Sequence, residues 1–136
     1  MPTSSKQPSK PPAKRTTKKA VKPAPPPERP FLRFYHSDRL RAATLVVLTA
    51  LEQARDPTRY RDALSDIVLE LTDSGLEYYF LRPLKLAQVG FVVEQSAYLG
   101  MGGVMRVMAP IIRNIIGHMD AHQLLTVCSH MRQLMA

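Results

Sequence analysis

The stretch that decides the fold is SDRLRAATLVVLTALEQAR, residues 37–55. Ser37 has the side chain of a helix N-cap and Asp38 follows it in the first turn, so a helix is predicted from there to about Arg55. Small and apolar residues recur in it at 4-3-4-3 spacing and predict one buried side: Leu40, Thr44, Val47, Leu51 and Ala54. The middle of the stretch is apolar almost all round, which is typical of a central core helix.

A second helix is predicted after Asp56-Pro57, an N-cap residue followed by proline at the first helical position. Its buried side has 4-3-4 spacing and consists of Tyr60, Leu64, Ile67 and Leu71. Asp73-Ser74-Gly75 is predicted to end it, since Gly75 can take the left-handed conformation of a C-cap.

Further helices follow with less regular boundaries. Pro83 is predicted to end or kink a short piece from Leu76 to Arg82, and a core helix then runs to about Tyr98. Its predicted core set is Leu86, Val89, Val93 and Tyr98. Three glycines (residues 100, 102 and 103) and Pro110 are predicted to loosen and kink the chain. A last helix is predicted to begin at Asp120, where Asp120 and Gln123 resemble a capping box.

These segments predict an all-α domain over residues 31–136, a small bundle of about five helices with short connections. Phe31, Leu32, Phe34 and Tyr35 bring the first apolar cluster and are predicted to pin the chain entry against it. Residues 1–30 hold nine of the twelve prolines and no Ile, Leu, Phe or Tyr. Such a segment buries too little apolar surface to offset its ordering entropy, so it is predicted to be a disordered tail.

The tail is strongly basic. Glu28 is its one acidic residue, against eight Lys and Arg, so its charge is 8 − 1 = +7, whereas residues 31–136 carry 11 basic and 10 acidic groups, or +1. The eight basic residues are Lys6, Lys10, Lys14, Arg15, Lys18, Lys19, Lys22 and Arg29. Counterion release favours binding of a mobile polycation to nucleic-acid phosphates without sequence readout. A solubilising linker, a protein contact and an anionic lipid surface are the alternatives.

A broad apolar face lies near the C-terminus. It consists of Met101, Val104, Met105, Met108, Ile111, Ile112 and Ile115. Methionine fills ordinary cores and also lines adaptable binding surfaces, so the face predicts core packing, a homodimer seam or a groove for a protein partner. Glu94, Arg106 and Arg113 interrupt each window of about twenty residues here, so no membrane-spanning helix is expected.

No recognisable catalytic pattern is present. His118, His122, Cys128 and His130 lack the spacing of a zinc site, and no cofactor or metal is predicted. The acidic stripe of Asp62, Asp66, Glu70 and Asp73 is predicted to be a solvated surface. The single cysteine and the absence of an apolar stretch behind Met1 favour a cytoplasmic protein.

The leading functional hypothesis is therefore a non-enzymatic accessory protein. Its tail would bind nucleic acid non-specifically, and its helical domain would self-associate or recruit a protein. One alternative is an interaction adaptor that uses the Met/Ile-rich face. The other is peripheral association with an anionic membrane or an apolar particle surface.

Overall fold

The computed structural model describes residues 29–30 and 33–135. Within these ranges the chain is all-α, as predicted, and contains no strand. The helices are α1 (Asp38–Gln53), α2 (Arg61–Leu76), α3 (Arg82–Leu86), α4 (Phe91–Gly117) and α5 (Ala121–Leu134). Because α2 and α3 are joined by a helical turn, the domain consists of four helical rods. The predicted tail lies outside the described residues, apart from Arg29 and Pro30.

Helix α1 begins as the sequence predicts. The Ser37 hydroxyl accepts a hydrogen bond from the backbone N–H of Leu40 at 3.1 Å, which satisfies one of the free donors of the first turn. The buried residues of α1 are Leu40, Thr44, Leu48 and Leu51. Thr44 donates to the Leu40 carbonyl at 2.7 Å, so its buried hydroxyl is satisfied within the helix.

The predicted start at Asp56-Pro57 is also confirmed, although it opens a 3₁₀ turn (Pro57–Tyr60) that leads into α2. The Asp56 carboxylate accepts from the backbone N–H and the hydroxyl of Thr58. These hydrogen bonds, first that of the hydroxyl, lower the pKa of Asp56 because they stabilise the carboxylate form. Pro57 is buried in the turn.

Helix α2 ends at Leu76, one residue after the predicted end, but Gly75 does not form the predicted left-handed C-cap. Gly75 is helical, and a methyl group added there would lie 3.9 Å from the ring of Phe34. The helix continues through a π-turn (Glu77–Leu81), in which the Arg82 N–H donates to the carbonyl of Glu77, five residues back. Pro83 then lies at the start of α3, where a missing N–H costs little. The expected break at Pro83 is thus replaced by a widened helical turn directly before it.

The predicted core helix from Pro83 or Leu84 to Tyr98 is also wrong. Helix α3 ends at Leu86, and a tight turn at residues 87–90 reverses the chain. Gln88 and Gly90 have positive φ angles of 53° and 100° in that turn, and a glycine relieves the strain at the second position. Helix α4 then runs unbroken through its three central glycines and Pro110 for 27 residues. Helix α4 and the rod of α2 and α3 therefore form a long hairpin.

The last helix starts with the predicted capping box. The Asp120 side chain accepts from the Gln123 N–H at 2.8 Å, and the Gln123 side chain accepts from the Asp120 N–H at 2.9 Å. Arg61 Nε donates to the Met119 carbonyl at 3.0 Å and so ties the α4–α5 turn to the start of α2. The direction of α5 is fixed by these contacts.

The core lies where α1, α2, α5 and the end of α4 meet. Its buried cluster is Leu48, Leu51, Leu64, Ile116, Leu124 and Cys128. Helix α1 packs against α2 and α5, and α4 packs mainly against α2. Phe34 contacts the rings of Tyr78 and Tyr79 with centroids 6.4 and 6.1 Å apart and so packs against the domain as predicted, whereas Tyr35 is 82% exposed. Phe31 and Leu32 lie outside the described residues.

Candidate association surface

Helix α4 has two apolar sides of different burial. One side faces α2, the helix that α4 mainly contacts, and ends at Ile116, which is 5% exposed in the core. The half-buried residues of this core side include Met101, Met105, Met108 and Ile112. Four members of the predicted apolar face thus lie along the contact with α2. All four are half-buried, and Ile112 packs against the buried core.

The neighbouring side of α4 is uncovered. It consists of Val93, Val104, Val107, Ile111 and Ile115, which are 46–65% exposed. We call these five residues the open side of α4. Their spacing of 11, 3, 4 and 4 residues keeps them within about a third of the helix circumference at 3.6 residues per turn. The open side contains the remaining three members of the predicted face, Val104, Ile111 and Ile115.

Glycines accompany the open side. Gly100 and Gly103 share this part of the helix, and a methyl group at either would meet no other part of the chain within 4 Å. Glycine inside a helix costs about 1 kcal/mol relative to alanine. No close approach within the chain offsets that cost, since the space beside both residues is open.

The charged residues of α4 lie away from the open side. Arg106 and Arg113 are seven residues apart and project on the opposite flank. Arg113 Nη2 donates to Asp66 of α2 at 2.6 Å. Glu94 is half-buried on the core side. A partner on the open side therefore meets apolar and small residues without desolvating a charge of α4.

The turn between α3 and α4 carries a second group of uncovered apolar residues. Its members are Leu86, Val89, Phe91 and Val92, and Leu99 is exposed two turns further along α4. Leu86, Val89, Val93 and Tyr98 were predicted as core, and that prediction is wrong, since all four are exposed. Indeed, no residue between Leu81 and Ile116 is buried. Lys85 Nζ donates to the Tyr98 hydroxyl at 2.9 Å, and this hydrogen bond raises the pKa of Lys85.

One described helix, α4, is long and apolar enough by length and composition to cross a membrane, and 6% of the relevant window is buried. This corrects the exclusion drawn from the sequence, which rested on interruption by charged residues. However, the C-terminal end of α4 contributes Ile116 to the same core as Leu64 and Leu124. Full insertion of α4 would remove this residue from the core.

The predicted acidic stripe on α2 faces basic groups of the chain itself. Asp66 pairs with Arg113, and Glu70 pairs with Arg39 of α1. Both pairs are substantially exposed, so each stabilises the fold only modestly. In residues 29–30 and 33–135 no three His, Cys, Asp or Glu side chains are grouped so that they could hold a metal ion.

Cys128 lies in the core with its side chain fully buried. Burial raises the pKa of its thiol from 9.0 to about 11, because the thiolate would lose its hydration, and Glu52 acts in the same direction. Nearby, Arg132 Nε and Nη2 donate to the two carboxylate oxygens of Glu52 at 3.0 Å. A protonated, enclosed thiol is a poor nucleophile.

A polar pocket of about 440 Å³ lies between the chain entry and the π-turn. Its charged lining residues have both signs: Arg39, Arg82 and Lys85 face Glu70, Asp73 and Glu77. Such mixed charge favours neither an anion nor a cation. The charges that line this pocket therefore do not indicate which class of ligand it would bind.

The predicted nucleic-acid-binding residues cannot be placed as a group. Lys6, Lys10, Lys14, Arg15, Lys18, Lys19 and Lys22 lie outside the described residues, and Arg29 is described and exposed. The sequence argument missed Val93 and Val107 as members of the open side. Val93 and Val107 lie seven residues before and after Gly100, a spacing that places all three on one side of a helix and could have identified them.

Comparison of this chain with known proteins found no matching family model, no matching curated protein and no matching solved structure. The functional argument therefore rests on the residues described above.

Proposed function

We propose that this chain is a non-enzymatic accessory protein of the cytoplasm, with one surface for association and one for polyanions. The helical domain associates through the open side of α4, and the basic tail binds nucleic acid through its phosphates. The observation that carries the proposal is the uncovered apolar surface of α4, an arrangement that marks interaction sites in folded proteins.

The tail half of the proposal is supported by charge. Seven units of the formal charge of +8 belong to residues 1–30, whereas residues 31–136 are close to neutral. Lysines separated by prolines meet phosphates without fixed geometry for base edges, which favours binding without sequence preference. The near-neutral helical domain lets two domains approach without strong mutual repulsion.

The test is binding of labelled duplex DNA and RNA to the full chain across a salt series. The matched control replaces the eight basic tail residues by glutamine and leaves the helices unchanged. If all eight cations meet phosphates, log affinity against log salt has a slope of about −7 on duplex DNA. A slope that vanishes in the control supports the proposal, and weak binding by both proteins at low salt contradicts the nucleic-acid half.

A second candidate function is attachment to an anionic membrane or an apolar particle surface. It is favoured by the apolar turn of Leu86, Val89, Phe91 and Val92, next to Arg82 and Lys85. Exposed apolar residues beside cations are typical of proteins that lie on anionic membranes. Co-sedimentation with anionic but not neutral vesicles, lost on Phe91→Asp, would favour this reading over nucleic-acid binding.

A further inference from the structure

We propose that the open side of α4 is covered by the same side of a second copy, with the two helices antiparallel about a two-fold axis beside residues 103 and 104. This inference rests on the proposed association through α4 and names its partner. Three observations carry it: the area of the open side, the position of the charges, and the order of large and small residues along the helix.

The area of the open side reaches the lower limit for a specific contact. The five open-side residues, at exposures of 46–65%, and the glycines between them extend over 23 residues, about 33 Å of helix. They present about 500 Å² of largely apolar surface, within the range of the largest patches on monomers. If the open side were covered completely, two copies would bury at most about 1,000 Å² in total, which is the lower limit for a specific interface.

The order of residues is self-complementary when the second helix is reversed. A two-fold axis between residues 103 and 104 places residue n of one helix opposite residue 207 − n of the other. Gly100 then faces Val107 of the second copy, Ser96 faces Ile111, and Gly103 faces Val104. These three central layers each set a small residue against a larger one, whereas Val93 and Ile115 at the two ends face Asn114 and Val92. In the centre the helices can therefore approach closely and still fill the space between them.

A parallel arrangement lacks this match. Each residue would then face its own equivalent, so Gly100 would meet Gly100 and leave a void, while Ile111 would meet Ile111. Antiparallel helices also align their dipoles favourably, with each N-terminus near the other's C-terminus. Arg106 and Arg113 remain in solvent in the antiparallel arrangement, since they lie on the opposite flank of α4. These points favour the reversed pairing.

A membrane explains less of the pattern. Lipid chains adapt to any apolar side, and they require no alternation of small and large residues. Insertion of α4 into a membrane would also remove Ile116 from the core, or would place the charge of Arg113 in lipid without its partner Asp66. The second copy is therefore the occupant that accounts for the glycines, the valines and the isoleucines together.

The first test measures the dimer dissociation constant of the full chain by sedimentation equilibrium, after nuclease treatment and at high salt. Gly100→Val and Val107→Gly, made singly, are each expected to weaken the dimer at least tenfold, the first by overpacking a layer and the second by emptying it. The double variant restores one small and one large residue per layer, so its dissociation constant should return to within about threefold of the parent's. This recovery is the pairwise coupling that a double-mutant cycle measures.

Gly102→Val is the matched control for the first substitution. Gly102 lies nearly opposite Gly100 on the helix, and a methyl group there also meets nothing within 4 Å. It should leave the dissociation constant unchanged. Circular dichroism of each variant verifies that the helices are intact.

The second test uses disulfide cross-linking to read the direction of the helices. Val104→Cys lies beside the two-fold axis and should cross-link to its equivalent, whereas Ile111→Cys should not, because the two positions lie about 22 Å apart along an antiparallel pair. A parallel pair would cross-link both. Cys128 does not interfere, since it is buried in the core.

The outcomes separate the two proposals. A dimer that is insensitive to Gly100→Val, or that cross-links through Ile111→Cys, overturns the antiparallel pairing and leaves association through another surface. A chain that stays monomeric up to about 100 µM overturns both the pairing and the self-association half of the proposed function. A monomer that co-sediments with vesicles through the open side would assign this surface to a membrane instead.

Discussion

Ile115 and Ile116 are chemically identical neighbours in α4, yet Ile115 is 54% exposed and Ile116 is 5% exposed. The same contrast separates Ile111, which is exposed, from the half-buried Ile112. The core side of α4 stabilises this chain, whereas the open side is available to another molecule. A run of isoleucine and methionine thus has two roles, which are set by the hundred-degree step between successive residues.

The largest expected effect compares the two isoleucines directly. Ile116→Ala should lower the free energy of unfolding by about 2–5 kcal/mol, because it leaves a cavity beside Leu64 and Leu124. Ile115→Ala should change it by about 0.5 kcal/mol or less. Denaturant unfolding at a protein concentration low enough to keep the chain monomeric measures both. Equal effects of the two substitutions would contradict the exposure of Ile115, because they would mean that its side chain is buried in the monomer.

The reactivity of Cys128 measures how well the core is shielded from solvent, and the core side of α4 contributes to that core. Its raised pKa predicts that the native protein reacts with a thiol-alkylating reagent at pH 8 about 100-fold more slowly than a peptide thiol, because the thiolate fraction falls tenfold per unit. The added enclosure of the side chain slows the reaction further. Mass spectrometry of alkylation over time checks this. Rapid labelling in native buffer would contradict the burial.

The same shift also gives a pH dependence. The unfolded thiol ionises near pH 9 and the folded thiol near pH 11, so this group's contribution to stability is full below pH 9 and declines as pH rises toward 11. The stability difference between the parent and Cys128→Ala should therefore shrink across that interval. A difference that is constant from pH 8 to pH 11 would contradict the shift.

A smaller effect is expected from the glycines on the exposed part of α4. Gly102→Ala should raise the free energy of unfolding by about 0.5–1 kcal/mol, since alanine loses less backbone entropy in a helix and nothing opposes its methyl group. The dimer dissociation constant should not change. Destabilisation by this substitution would contradict the open space around Gly102, because it would mean that another atom of the chain lies within 4 Å of the added methyl group.

The smallest effect is expected where α4 meets α2 through charge. Arg113→Gln removes the pair with Asp66, and because both side chains are about half exposed the loss should be about 0.5 kcal/mol or less. The difference should shrink further at 1 M salt, where the screening length is short. Thermal unfolding at two salt concentrations measures it. A loss of several kcal/mol would contradict the exposure of this pair, because it would mean that the two charges are buried.

Local chemistry made part of the fold predictable from the sequence. The caps at Ser37, Asp56 and Asp120 were predictable because each side chain bonds a backbone N–H two or three residues away. Helical spacing predicted Leu40, Thr44 and Leu51 as buried residues of α1, but Leu48 rather than Val47 is fully buried, and Ala54 is a half-buried C-cap.

The errors arose where distant residues decide the conformation. Gly75 was predicted to cap α2 in the left-handed conformation, but it is helical, Phe34, 41 residues away, lies beside it, and the chain continues into the π-turn. Spacing also could not show which side of the Met/Ile-rich face is covered, although its methionines lie on the core side and Val104 lies on the open side. The division depends on where α2 lies, which is a tertiary contact.

The π-turn at Glu77–Leu81 has a consequence for how the length of this chain can vary. A π-turn holds one residue more than an α-helical turn spanning the same rise, so it has the geometry of a single-residue insertion absorbed by a helix. Removal of that residue would restore a regular helix and rotate everything after it by about a hundred degrees. Arg113 would then point away from Asp66, which precedes the turn, and the apolar residues of the α3–α4 turn would face another direction. The orientation of α3 and α4 relative to α2 therefore depends on a single residue of the π-turn.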